Sequence, residues 1–262
     1  MLSYFVICLV ALSVSALTLF SGFGLGTLLM PAFAIFFPLP VAIAATAVVH
    51  LANNIFKVVL VGKKADWKVV LRFALPAAIA AMLGAWLLNE LSVLPPLLSY
   101  SLGNSVYEID IIELVIGLLI IAFAFLDILP RFQNISFDRK YLPVGGILSG
   151  FFGGLSGIQG ALRSAFLIKS GLDKEAFIGT GTVSAVIVDF ARLIVYGISF
   201  YTLKIATISE DVYGLVIAAI IAAFIGSLIG LRLVKKVTIR VIQLIVGVML
   251  ILVGIGIVSG LI

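Results

Sequence analysis

Charge is scarce in this sequence. Asp, Glu, Lys and Arg make up 11% of its 262 residues, whereas 63% are apolar and the mean hydropathy is +1.32. A water-soluble chain of this length could not hide so much apolar surface, so the bilayer is its expected solvent. Cysteine is nearly absent: Cys8 stands alone, which excludes an internal disulfide. His50 is the single histidine, so no His/Cys metal cluster can be assembled. No HExxH or GxSxG pattern occurs either. The chain is therefore read as a non-enzyme with no cofactor and no metal. Bases outnumber acids 17 to 12. They lie in short loops where membrane sorting accounts for them, so no nucleic-acid partner is expected. The first apolar run lacks a basic leader and an obvious cleavage site, and is read as mature chain.

What the sequence does have is apolar segments of bilayer length, which takes about 20 residues. Complete spans are expected at 40–62, 68–89, 111–129, 176–198, 212–232 and 239–262. Two pieces do not fit a single helix, 2–37 and 142–169, and both are broken by glycines. Basic residues assign the sides. The connections at 57–72, 130–141, 169–174 and 232–240 carry fourteen of the seventeen bases, Lys57 included. The connections at 90–110 and 199–211 hold acids and only Lys204 as a base. The first four are expected inside and the other two outside. Residues 2–37 then start and end outside, and 142–169 start and end inside, so each is expected to be a broken hairpin. The predicted fold is an all-α polytopic membrane protein with an inverted-topology repeat. Its halves are 1–129 and 142–262, each a broken helical hairpin plus three transmembrane helices. Both termini are expected outside the cytoplasm, in the cell membrane. Inverted repeats with interrupted helices are a mark of secondary transporters.

The glycines repeat with the halves. SGFGLGTLLMPAF, Ser21 to Phe33, is followed 133 residues later by GGLSGIQGALRSAF, Gly153 to Phe166. An interior glycine costs a helix roughly 1 kcal/mol against alanine, and proline removes a donor. Breaks are expected at Gly22–Gly26 and Gly153–Gly157. The amide groups they free, at the starts of the following half-helices, could hold an anion. The plainer alternative is that these glycines only let helices pack closely. GSLIG, Gly226 to Gly230, is expected to do that. The external connection LSVLPPLLSYSLGNSVYEID, with its two prolines, is expected to lie along the outer surface.

Polar residues inside spans are costly and usually functional. A shift of 135 places Asn54 on Asp189 and Lys57 on Arg192, and in both spans the cation follows by three, on the same helix face. Asp189 either neutralises Arg192 or carries a proton. Arg163, with no acid close in sequence, either ligates an oxyanion through two parallel donors or snorkels to the interface. His50 either packs or couples protons. The candidate substrate contacts are Gly22, Gly24, Gly26, Thr27, Asn53, Asn54, Gly157, Gln159, Gly160, Arg163, Thr180 and Thr182. The candidate coupling or charge residues are His50, Lys57, Asp189 and Arg192.

GFGLGTLLMPAF, the polar span after it, the KKADW loop and the glycine-rich opening of the second half resemble the sulfite exporter TauE/SafE family of membrane permeases. The resemblance covers nearly the whole chain. It implies transport of sulfite, sulfonates or related small anions. It puts the family's first glycine-proline motif on Gly22, Gly24, Gly26 and Pro31. The second half departs from the repeated pattern, with Gln159, Gly160, Arg163 and Ser164 where a glycine run and proline are usual. The expected function is an alternating-access permease for a small anion. An anion channel on the same scaffold and a non-transporting membrane assembly protein are the alternatives. The expected partners are a small anionic substrate and the lipid bilayer, with a homodimer left open.

Overall fold

The computed structural model describes residues 1–18, 25–103, 105–129, 136–203, 210–233 and 239–261. The chain is an all-α, multi-pass membrane protein. Its helices are α1 (Leu2–Thr18), α2 (Leu25–Ala34), α3 (Leu39–Val61), α4 (Trp67–Ser92), α5 (Ile111–Ile128), α6 (Leu142–Ser156), α7 (Gly160–Leu167), α8 (Lys174–Leu203), α9 (Glu210–Leu233) and α10 (Ile239–Val258). Among the described residues, four stretches are long and apolar enough to cross a bilayer: Leu39–Lys64, Trp67–Ser92, Lys174–Ser199 and Val212–Gly230. Local chemistry marks the ends. The Asp66 carboxylate accepts the amides of Lys68 and Val69 and so caps α4. Glu113 reaches back to the Asp110 amide at the start of α5.

Both awkward pieces are pairs of short helices. In the second, α6 has 15 residues and α7 has 8, about 22 and 12 Å at 1.5 Å per residue. Neither is as long as the ~30 Å hydrocarbon layer. The two run antiparallel: Gly145 lies against Phe166, and Gly153 against Gln159. Phe137 stacks on Phe166 with centroids 4.1 Å apart and closes the open end.

The break itself falls later than the composition suggests. Gly153 and Gly154 are helical, and α6 ends only at Gly157, whose φ of +78° is left-handed. Glycine takes that conformation without the Cβ clash, so Gly157 rather than the paired glycines turns the chain. In the first hairpin α2 starts at Leu25, so Gly26 and Thr27 belong to its first turn. Gly22 and Gly24 lie outside the described residues.

Close glycine seams fix the layers. Gly146, Gly150 and Gly154 of α6 face the backbone of Phe73, Ala77 and Ala81 of α4, so these two helices run parallel. Gly226 and Gly230 of α9 face the backbone of Leu12 and Ala16 of α1, also in parallel, which is the packing use expected of GSLIG. In contrast α3 and α8 are antiparallel, with Gly179 at Val61 and Asp189 at His50. So are α5 and α10, where Gly117 meets Gly254 and Val258 while Gly247 meets Ile128. In the connection between α4 and α5, Leu98–Leu102 and Ser105–Ile109 pair as an antiparallel hairpin. Tyr100 donates from it to the Ser259 carbonyl at 2.6 Å and ties it to the end of α10.

Lys57 corrects the count of loop bases. It lies within α3 and is 7% exposed, so the four basic connections carry one base fewer.

Candidate functional site

The centre of the molecule is polar. Asp189 of α8 is fully buried and accepts hydrogen bonds on both oxygens. Oδ1 takes Gln159 Nε2 at 2.9 Å, Arg192 Nε at 3.1 Å and Arg192 Nη2 at 2.7 Å. Oδ2 takes His50 Nδ1 at 2.6 Å and Asn54 Nδ2 at 3.3 Å. The spacing within each helix makes this possible. His50 and Asn54 are four apart on α3, and Asp189 and Arg192 three apart on α8, so each pair shares a face. One carboxylate therefore joins α3, α8 and the turn between α6 and α7.

Arg192 extends the cluster. Its Nη1 donates to the Gly153 carbonyl at 2.9 Å. Tyr196, one turn further along α8, donates to the Gly154 carbonyl. Carbonyls in the last turn of a helix lack intrahelical partners, and Tyr196 supplies one for Gly154; the Gly153 carbonyl accepts the Gly157 amide at 3.0 Å as well as Arg192. Ser149 donates to the Gln159 carbonyl at 2.9 Å and fixes the turn from the other side. The broken hairpin is thus held by α8, not only by its own packing.

The first turn of α2 meets the turn after α6 here. A Cβ placed on Gly26 would lie 3.0 Å from the Gly157 carbonyl oxygen and 3.6 Å from His50 Cδ2. Residues over 130 positions apart are in contact because neither has a side chain. Around the junction the buried charged side chains among the described residues are Lys57, Arg163, Asp189 and Arg192. Arg163 on α7 lies near Gly181 of α8 and acts electrostatically on Lys57, His50 and Asp189. Among the described residues, three buried bases therefore stand against one buried acid.

A second polar group sits beside it. Ser227 Oγ donates to Asn53 Oδ1 at 2.8 Å, and Ser15 Oγ lies 2.7 Å from Ser227 Oγ. The Asn53 Nδ2 group has no hydrogen-bond partner among the described residues, although Asn53 is fully buried. Such a donor is rare inside proteins.

Of the residues singled out from the sequence, Gly26, His50, Asn54, Gly157, Gln159, Asp189 and Arg192 come together through direct contacts. Lys57 and Arg163 lie within electrostatic reach. Thr27 is buried in α2 and Gly160 opens α7. Thr180 is engaged elsewhere: its hydroxyl accepts the Asp66 amide at 2.9 Å in the α3–α4 connection. Thr182 bonds back to its own helix at Ile178 O, 2.7 Å away. Ser15, Ser149, Tyr196 and Ser227 were missed. Serine and tyrosine in apolar helices commonly bond their own backbone or reach an interface, so composition alone did not separate them.

A polytopic helical bundle with broken hairpins meeting at a buried cationic centre defines a membrane transport protein. The chain belongs to the sulfite exporter TauE/SafE family, whose family model matches residues 7–257. Searches of curated proteins and of solved structures returned no match.

Proposed function

We propose that this protein is a secondary permease for a small oxyanion, sulfite-like or sulfonate-like, working by alternating access rather than by catalysis. The observation that carries the proposal is the surplus of buried base over acid where Gly26 meets Gly157. Cations are expensive to bury in a membrane interior, and an anion at the junction would lower that cost. Lys57 and Arg163 would supply charge, Asn53 Nδ2 a directed donor, and the backbone at Gly26 and Gly157 the room for close approach. Arg192 is already bonded to Asp189 and Gly153, and would position the hairpin instead. Burial of the whole cluster favours an occluded carrier over an open pore.

The halves 1–129 and 142–262 would be inverted repeats. Support comes from the antiparallel pairs α3–α8 and α5–α10, since an in-plane twofold reverses equivalent helices. It comes also from exchanged partners: α6 packs on α4 as α1 packs on α9. Both termini would lie outside the cytoplasm, in the cell membrane.

Purified protein in vesicles should show saturable sulfite or sulfonate counterflow. Currents without saturable exchange would instead mean a channel. Single cysteines at Lys64 and Lys140 should resist an impermeant thiol reagent in intact cells while one at Ser105 reacts. Labelling at Lys140 with protection at Ser105 would overturn the inverted arrangement.

A further inference from the structure

Every other polar group of the cluster has a place in holding the hairpin or the anion, but His50 does not. We propose that His50 is a proton-binding site, and that its Nε2 takes up one proton together with the anion and releases it on the other side. The proposal rests on the permease reading above and adds the coupling ion to it.

The hydrogen bonds assign the tautomer. Asp189 is an acceptor throughout, since Gln159, Asn54 and Arg192 all donate to it. The proton in the 2.6 Å contact between His50 Nδ1 and Asp189 Oδ2 therefore belongs to the imidazole. Asn54 Nδ2 lies 3.0 Å from Nδ1, but it cannot donate to a nitrogen that is itself donating, so its hydrogen goes to Oδ2. Nε2 is left unprotonated; Asn54 Nδ2 lies 3.3 Å from it and has a second hydrogen to give it, so a proton taken up at Nε2 replaces that contact. Nε2 lies on the ring edge that faces the junction: a Cβ on Gly26 would sit 3.6 Å from Cδ2 and 3.9 Å from Nε2. The unprotonated nitrogen of the chain's single histidine thus borders the place where Gly26 meets Gly157.

The surrounding charges make uptake conditional. From α8 the ring faces Asp189 and Arg192, and from α7 Arg163. Lys57 follows on α3 itself. From α2 and α6 the neighbours are the backbone of Gly26 and Gly157. Two of these cations, Arg192 and Arg163, repel a further positive charge on the ring, and an anion at the junction cancels that repulsion. Proton and anion then each favour the other by the same factor, which makes binding cooperative and the movement a cotransport. Only one N–H bond forms and breaks, at Nε2, with water as donor and acceptor; the other proton stays on Nδ1, donated to Asp189. Asp189, occupied by four side-chain partners that include a guanidinium, is the positioning residue.

Methanesulfonate is a suitable probe because it stays ionised across the neutral range. Vesicles containing the full chain should acidify inside as it enters, at about one proton per anion. Entry without acidification would overturn the proposal while leaving the permease reading intact. Absence of any sulfite or sulfonate counterflow would overturn both. By calorimetry, wild-type affinity should rise as pH falls, by up to about tenfold per pH unit. His50→Gln should bind with an affinity that no longer varies with pH. An unchanged pH slope in His50→Gln would overturn the assignment. His50→Asn, whose amide can still donate to Asp189, serves the same comparison if the glutamine variant does not fold.

Discussion

Two helix seams cross the middle of this molecule, and they are built on opposite principles. Between α4 and α6 the closest approaches are made to backbone. Cβ atoms on Gly146, Gly150 and Gly154 would fall 2.2, 2.0 and 2.0 Å from carbonyls of α4, which leaves no room for a side chain. Between α3 and α8 the contact is made by side chains that a membrane interior disfavours, namely His50, Asn54, Asp189 and Arg192. Lipid tails supply no hydrophobic drive for helices to associate, so close packing and hydrogen bonds must do it. The comparison shows that glycine is not a single signal here. In α6 the glycines every fourth residue pack a helix. Gly157, in a left-handed turn against Gly26, instead opens space at a charged centre.

The comparison can be broken most severely at Asp189. Asp189→Ala leaves Arg192 buried without its counter-charge, and loss of one partner of a buried pair costs about 3–5 kcal/mol. Unfolding in detergent should show this as a collapse of stability. A loss below about 1 kcal/mol would mean that α3 and α8 are held by something other than the carboxylate.

Next in size is Arg163→Ala, which should leave the fold intact and weaken oxyanion binding by about 2 kcal/mol, roughly thirtyfold. Arg163→Lys should recover part of this, because it keeps the charge but not the paired donors. Calorimetry with sulfite on both variants reads the difference. Equal affinity in wild type and Arg163→Ala would move the anion away from the junction.

The glycine seam is sharpened by a pair of equal substitutions. Gly150→Ala drives a methyl into the Ala77 carbonyl and should destabilise by about 1–3 kcal/mol. Gly197→Ala, in α8, meets nothing within 4 Å and should stabilise by about 0.5–1 kcal/mol. Opposite shifts in melting temperature would separate packing from propensity, and shifts of the same sign would refute the seam.

The smallest effect is expected at the surface. Lys64 and Glu175 pair at 3.4 Å, with side chains 66% and 72% exposed. Lys64→Ala should change stability by less than about 1 kcal/mol, and less still at high salt.

Much of this was legible in the chain. Span positions agree with the observed helices within a few residues, because bilayer thickness imposes a length and apolarity that composition reports directly. The polar faces were legible in part: a spacing of three put Asp189 with Arg192, which do pair, and Asn54 with Lys57, whereas Asn54 bonds Asp189 instead. The exact break was not. Gly153, Gly154 and Gly157 look alike as letters, and only the proximity of α4 and Gln159 keeps the first two helical. Thr180 looked like a ligand because it is polar within a span, yet the packing of α8 against the α3–α4 connection gives its hydroxyl to Asp66.

The sequence by itself determined that the chain lives in a bilayer, where its helices fall and which of them are interrupted, since each follows from local composition and helical period. Only the tertiary structure decided that Gly26 touches Gly157, that one carboxylate gathers His50, Asn54, Gln159 and Arg192, and that Lys57 is inside rather than in a loop. Those are contacts between residues far apart in the chain. They depend on which helices lie side by side and in what direction, which no local pattern specifies.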